Sequence, residues 1–384
     1  MSLPRGRQAI YGKIERDNLM RFFHTADWQL GMRCERLGDA SPRVREERLA
    51  AGRRVIQAAR EHAADFILVA GDLFEDNAVD RVLVQKAADV LNSFGGPVFI
   101  LPGNHDPLVP GSVWTHPAWK SASNVHLLVE EAPIEVPGGI LYPCPVKEKH
   151  SGRNPTAWIP SAGPDTIRIG VAHGTVEGIV QDEPDYPIPV DAALRAGLNY
   201  LALGHWHSFT TYKGEDGATP MAYSGTHEPT KFGERDSGNV LIVEISDAGS
   251  PASIRPVHTG RLSWLAIERE SRESGDLTRV REEIEAITDA SDTLIEVALS
   301  GLLPADNRDE LDRIEQLLES RFLWGRIDAS GLQPSPTDNA WISSLPPGVI
   351  REAAARIRNS TETAPEVIAR ALIELYALVG EGQV

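Results

Sequence analysis

Between Arg21 and Ile245 the chain repeats one pattern: a short apolar run of strand length, a turn, then a stretch with helical spacing. The runs are RFFHTA, FILVAG, PVFILP, TIRIGVAH, NYLALGH, PMAYSG and NVLIVEI, and helical patterns cover 43–62, 79–93 and a short stretch near 190–196. Such alternation predicts an α/β layer architecture, with sheets buried behind helices. It also says where to look for chemistry, because ligands in such sheets bind in the loops at the C-terminal ends of the strands.

A turn-rich stretch, SDAGSPAS at 246–253, reads as a linker. Beyond it LSWLAIE, a helix around 276–287, TLIEVALSG, a helix over 306–322 and WGRIDAS predict a small β-α-β-α-β domain, with Leu311, Ile314, Leu317 and Leu318 as one apolar stripe. A second break at LQPSPTDN leaves two C-terminal helices. The last carries a capping box (Thr363, Glu366) with Pro365 in its first turn, ends at Gly380 and lines one face with Ile368, Leu372, Tyr376 and Val379. That face packs on the chain's own second domain or docks on a partner. The expected domains are 20–245, 246–335 and 336–384.

At 384 residues, 41% hydrophobic and 24% charged, the chain has enough apolar content for several cores and is not disordered. Cys34 and Cys144 cannot form a disulfide framework, and no run reaches the length of a membrane span. A reducing, cytoplasmic location is expected, with no membrane partner. Met20 reads as a natural start, so residues 1–19 are set outside the fold argument. The net charge of −17 is spread over both halves of the chain and opposes free binding to nucleic acid, whose affinity comes largely from Lys and Arg on phosphates.

Five strand ends carry groups that can bind a metal ion: Asp27 in HTADWQLG, Asp72 in LVAGDLFED, Asn104 in LPGNHDP, His173 in GVAHG, and His205 with His207 in LGHWH. Singly each is a common buried polar residue. Together they form a set of carboxylates, imidazoles and an amide that suits Mn, Fe or Zn, and a shared carboxylate lets two ions sit about 3.5 to 4 Å apart. Glycine precedes Asp72, Asn104 and His205, where the backbone turns tightly or approaches a ligand closely.

In this order the motifs resemble the calcineurin-like metallophosphoesterase superfamily. HTADWQLG, GDLFED, GNHDP and YSGT...FGE (223–234) are most similar to its SbcD-type DNA repair exonucleases. The resemblance spans 20 to about 245 and is only architectural over 246–335. It implies a four-layer sandwich of two β-sheets flanked by helices, with a smaller α+β capping domain and C-terminal helices. It further implies two divalent ions, Mn first, with Mg, Fe and Zn as alternatives. Asp27, position 29 and His207 would hold one ion, Asn104, His173 and His205 the other, and Asp72 would bridge them. His105 would be the acid that protonates the leaving oxygen, oriented by Asp106. The implied activity is phosphodiester cleavage without a covalent enzyme intermediate, on DNA. The implied partner is an SbcC-type coiled-coil ATPase that supplies DNA-binding surface and receives the C-terminal helices; a homodimer is a further option.

The departure is Gln29, where the family usually has histidine. A glutamine carbonyl can coordinate, but it is a neutral and harder donor, so the first site should survive with lower affinity and lean toward Mn or Mg. The competing readings are a Gln29 that faces substrate beside three other ligands, and a first site that binds no metal in a scaffold protein. At the level of the whole chain, the alternatives to a nuclease are a small-molecule phosphoesterase of the same superfamily and a structural subunit. His24 is expected to be structural, Trp28 and Trp206 to pack the ligand loops, and the loop that carries His227 to close the site through backbone and Ser224 contacts, with His227 reaching the substrate edge as the alternative; Lys231 and Arg235 are candidates for phosphate contact. His62, His116, His126, His150 and His258 belong to no constellation.

Overall fold

The structure, a computed structural model, describes residues 19–381 except 162, 164, 179–184, 215–219, 274, 304–306, 335–338 and 362. The first unit forms strands β1 (Met20–Thr25), β2 (Phe66–Ala70), β3 (Val98–Leu101), β4 (Val125–Leu127), β5 (Ile134–Val136), β6 (Gly139–Cys144), β7 (Ile167–His173), β8 (Tyr200–Gly204), β9 (Thr210–Tyr212), β10 (Met221–Tyr223), β11 (Asn239–Ile245) and β12 (Ser253–His258), of which β1, β2, β3, β7, β8, β10 and β11 are the apolar runs of the sequence. They make two six-stranded sheets, ordered β12-β11-β1-β2-β3-β4 and β5-β6-β7-β8-β10-β9. Strands β1 to β4 run parallel, as do β6, β7, β8 and β10.

Alternation along the strands explains why two sheets stack. Phe22, Phe66 and Leu68 point inward against Ile169, Val171, Tyr200 and Ala202 of the second sheet. Phe23, Ile67 and Val69 point outward, onto Val55 and Ala59 of helix α1 (Ser41–Glu61) and Val84 and Leu91 of α2 (Arg81–Asn92). Each such side chain, fully buried, contributes on the order of 1.5–3 kcal/mol. After α3 (Ala118–Ser121) β4 completes one edge of the first sheet and the chain then builds the second, whose outer face carries Leu201 and Leu203 against Ile188 and helix α4 (Ala192–Arg195). The result is the expected layering, two sheets flanked by helices.

Strands β4, β5, β6, β9 and β12 lie outside the apolar runs of the sequence, β6 and β12 for local reasons. β6 holds Pro143, and β12 holds Pro256 and is largely exposed. β12 is an edge strand, where a missing N–H is tolerated. Because β12 pairs antiparallel with β11, residues 246–252 close a hairpin and are not a linker. The chain divides instead between Leu262 and Ser263, later than the expected border at 245.

The second unit begins with β13 (Ser263–Ser271), α5 (Asp276–Glu285), β14 (Thr293–Leu303), α6 (Arg308–Arg321) and β15 (Trp324–Pro334), a parallel sheet ordered β13-β14-β15. Leu277, Val280 and Ile284 of α5 and Ile314 and Leu318 of α6 share a core with Ile295, Val297 and Leu299. Then α7 (Trp341–Ser344), α8 (Val349–Arg358) and α9 (Pro365–Glu381) pack on one another through Ile342, Leu345, Ala354 and Leu372, with Trp341 edge-on to Tyr376 at 5.2 Å. The middle of the expected break, 335–338, lies outside the described residues. Among the described residues no helix is long and apolar enough to cross a membrane.

His24 lies in the interface between the two sheets of the first unit. Its Nδ1 is 2.9 Å from the Tyr200 hydroxyl and its Nε2 3.1 Å from the Leu203 carbonyl oxygen, with the ring fully buried. Burial pushes its pKa down to about 3, partly opposed by the Leu203 carbonyl. The folded protein therefore holds this imidazole neutral, whereas the unfolded chain protonates it below about pH 6.5. Stability due to this group is complete above that pH and is lost as pH falls toward 3, by at most about 1.4 kcal/mol per unit. Urea unfolding of His24→Gln should show a flatter loss between pH 7 and pH 4 than the wild type; parallel curves would exclude His24 as the source.

Candidate metal centre

Every expected ligand in the first unit sits just past the C-terminal end of a parallel strand: Asp27 after β1, Asp72 after β2, Asn104 after β3, His173 at the end of β7, and His205 and His207 after β8. The two sheets press their strand ends together. A Cβ on Gly204 would lie 1.9 Å from the Ala70 carbonyl oxygen, and one on Gly103 would lie 2.1 Å from Asp72 Oδ1. Gly71 has φ +97°, and its Cβ would meet His173 Nδ1 at 2.1 Å. These three glycines are required by close approach. Asp27, Gln29, Asp72 and His205 themselves adopt positive φ (54°, 47°, 51° and 106°), a strained state for residues with a Cβ that clusters at functional sites.

The side chains form one connected network. Asp27 accepts the His205 N–H on both carboxylate oxygens at 3.1 Å. Asp72 Oδ1 accepts the His105 N–H at 2.9 Å, while its Oδ2 accepts from Gln29 Nε2 at 3.2 Å and lies 3.3 Å from His173 Nε2. Asn104 Oδ1 is 2.9 Å from His173 Nε2 and 3.3 Å from His205 Nδ1. One ligand atom each from Asp27, Asp72 and His173, all three residues buried, lie within 4.8 Å of one another.

The electrostatics show what this pocket lacks. Two carboxylates are buried here with no Lys or Arg side chain bonded to either among the described contacts, so the charge must be met by something else. Burial pushes Asp27 up to about 6, against the downward pull of His173 and His207. On His173 burial pushes down, but the Asp72 charge and hydrogen bond, with Asp27, outweigh it and raise the imidazole to about 9. Burial works on Asp72 in the opposite direction, and His173 and His105 together hold it well below the usual carboxylate range. With Nδ1 donating to the Ala70 carbonyl at 2.9 Å, a protonated His173 turns its second N–H toward Asn104 and Asp72. A proton thus supplies the positive charge that this donor set favours. Burial and the His173 charge lower His205 to about 4, leaving it neutral and able to donate a lone pair. The donor set fits divalent cations, with oxygen and imidazole ligands in the proportions Mn, Fe or Zn accept.

The supporting contacts were only partly visible in the sequence. His207 Nδ1 lies 2.9 Å from Glu234 Oε1 and 3.0 Å from Thr230 Oγ1, which leaves Nε2 to serve as the ligand atom. Glu234 closes the FGE stretch, yet nothing in that stretch gave it a role. Asn104 Nδ2 donates to Asp185 Oδ2 at 3.2 Å, a contact with no sequence signal at all. His105 also differs from expectation. Its Nδ1 is held by the Glu75 carbonyl oxygen at 2.9 Å, whereas Asp106 accepts the Phe74 and Gly103 N–H groups at 2.9 and 2.7 Å. Asp106 therefore pins the loop and does not orient the ring; burial and the Asp72 charge push it up to about 8.

Trp28 is fully buried and stacks on His227 at 4.6 Å, which places both in packing. The buried Arg48 donates to the carbonyl oxygens of Asp27, Trp28, Glu228 and Pro229, tying the Asp27 loop to the loop that carries Thr230 and Glu234.

Residues 20–209 match the family model for the calcineurin-like phosphoesterases. Over these residues the chain is similar to that family. The family acts on phosphoesters as a hydrolase with divalent metals, in keeping with the pocket just described. An uncharacterized metallophosphoesterase, YhaO of Bacillus subtilis (strain 168), is 24% identical over 307 residues, 73% of each chain. The D subunit of the nuclease SbcCD, from the same organism, is 27% identical over 279 residues, which is 60% of this chain and 66% of its own. The crystal structure of TT1561 of Thermus thermophilus aligns over 63% of this chain and 99% of its own, at 10% identity and a TM-score of 0.41.

Removing Glu234 should release the His207 ring. Glu234→Ala is expected to weaken metal binding about 10- to 100-fold, measured by calorimetric Mn titration. An unchanged affinity would show that His207 takes no part in holding the ion.

Proposed function

We propose that this chain is a dinuclear-metal-dependent phosphodiesterase and that its substrate is DNA. The observation that carries the reading is the buried Asp27, Asp72 and His173 cluster at the joined strand ends, surrounded by Gln29, Asn104, His205 and His207. Asp27, Gln29 and His207 would hold one ion, Asn104, His173 and His205 the other, with Asp72 shared. Held there, divalent ions supply Lewis-acid charge for the phosphoryl oxygens and bring the deprotonation of water near neutral pH.

The remaining work falls to the chain itself. His105 donates its Nδ1 proton to the Glu75 carbonyl, so Nε2 is the nitrogen that exchanges protons with the leaving oxygen. Its backbone N–H is fixed on Asp72, which keeps the acid at a constant place relative to the shared carboxylate. Gln29 turns its NH2 toward Asp72; rotation of the amide presents the carbonyl oxygen instead, a neutral donor where the family usually has imidazole. The similarity to the D subunit of the nuclease SbcCD supports DNA as substrate and partnership with an SbcC-type ATPase. The net charge of −17 favours a small phosphoester as the second reading.

The test is Mn-dependent hydrolysis of a labelled DNA duplex beside bis(p-nitrophenyl) phosphate. Asp72→Asn should abolish both activities and His105→Ala should lower kcat by about 10²-fold or more, the scale of a lost general acid. Gln29→His should raise Mn affinity. Turnover of the small ester with no cleavage of DNA, alone or with a coiled-coil ATPase, would overturn the nuclease assignment and leave the small-ester reading.

A further inference from the structure

A cavity of about 220 Å³ opens beside the His105 loop, between the start of α2 and the turn that follows β3. Asn77 joins its wall to the metal centre: the Asn77 amide donates to the Pro107 carbonyl at 3.0 Å and accepts the Val113 N–H at 3.1 Å. Two residues before Asn77, the Glu75 carbonyl holds the His105 ring. The cavity is thus built into the segment that fixes the leaving-group acid.

Its chemistry is that of an anion site. None of its lining residues is acidic, in a chain of net charge −17, and the side-chain donors Arg81, Ser112 and His116 line it. Arg81 is an exposed guanidinium at the first turn of α2. His116 accepts the Ala118 N–H on Nδ1 at 3.2 Å, so the neutral ring carries its proton on Nε2 as a donor. Ser112 decides the matter. It is 2% exposed and precedes a turn of 3-10 helix, a position where serine ordinarily gives its oxygen to a backbone N–H. Here Ser112 makes no such bond, and its Oγ has no partner. A buried hydroxyl left unpaired costs about 1–3 kcal/mol, a cost that a bound acceptor would remove.

We propose that Arg81, Ser112 and His116 bind a backbone phosphate of an oligonucleotide next to the scissile one. The inference rests on the phosphodiesterase reading and adds a second phosphate subsite to it: the substrate carries at least two phosphates, one at the metals and one in this pocket. It also identifies a local cationic contact for nucleic acid on an acidic chain.

The experiment compares wild type, Arg81→Ala and Ser112→Ala. Steady-state hydrolysis of a labelled oligonucleotide is measured beside bis(p-nitrophenyl) phosphate, and oligonucleotide affinity is followed by fluorescence anisotropy across a salt series. Arg81→Ala should lower the ratio of kcat/KM values, oligonucleotide over small ester, five- to tenfold through KM. It should also reduce the slope of log affinity against log salt by about one. Ser112→Ala should weaken oligonucleotide binding severalfold while leaving the Tm unchanged or higher, because it deletes an unpaired buried group; a merely structural serine would lower the Tm and leave affinity alone. Unchanged affinity and ratio in both variants would overturn the pocket. Failure of the wild type to hydrolyse either substrate would instead overturn the phosphodiesterase reading, and the anisotropy arm would still decide whether the pocket takes an oligonucleotide phosphate.

Discussion

Two carboxylates that share one dry pocket govern this molecule. Asp27 and Asp72 are buried and close together, an arrangement that costs free energy unless positive charge lies between them. The residues around them hold that arrangement in place. The glycines at 71, 103 and 204 let the two sheets approach, the left-handed backbone at Asp27 and Asp72 aims both carboxylates inward, and His173, whose pKa Asp72 and Asp27 raise, stands against both. A sheet joint with ordinary side chains at those glycines could not close to this distance.

The same constraint explains the outer contacts. An imidazole that is to offer one nitrogen to a ligand needs the other fixed, and the chain uses a different anchor each time: the Ala70 carbonyl for His173, Glu234 with Thr230 for His207, and the Glu75 carbonyl for His105. Arg48 then joins two of these regions. Its buried charge is met by backbone carbonyls, with Glu228 and Glu234 offsetting part of its desolvation, so the Asp27 loop and the Glu234 loop are tied together.

How much of this could be read from the chain follows from the range of each interaction. Strand ends with an apolar run before them and a glycine at the turn are local signals, so Asp72, Asn104 and His205 announce themselves. Glu234 and Asp185 do not, because they act across 27 and 81 residues of chain respectively, through loops with no periodicity. Asp106 misled for the converse reason: adjacency to His105 in sequence suggested contact, yet successive residues in a turn point apart, and its carboxylate faces Phe74 and Gly103. The linker at 246–253 was misplaced because a polar edge strand with Pro256 looks like a loop until its partner is known. Layered α/β packing was legible because it needs only the alternation of elements and the period of two along each strand.

Gln29 is where these arguments meet. In the structure its backbone is locked to Asp72 by a 3.1 Å bond from its N–H, and its side chain is buried against the same residue. Geometry therefore keeps position 29 beside the shared carboxylate whatever the side chain. The difference from histidine is one of charge state. An imidazole there could take up a proton and, with His173, offset both carboxylates when no metal is bound. Glutamine cannot, so the metal-free pocket relies on His173 together with a raised Asp27. With glutamine the pocket is more negative than with an imidazolium, and an amide oxygen is a weaker donor to a metal than an imidazole nitrogen. The first effect draws any dication in, whereas the second favours hard ions that coordinate oxygen readily over those that prefer nitrogen.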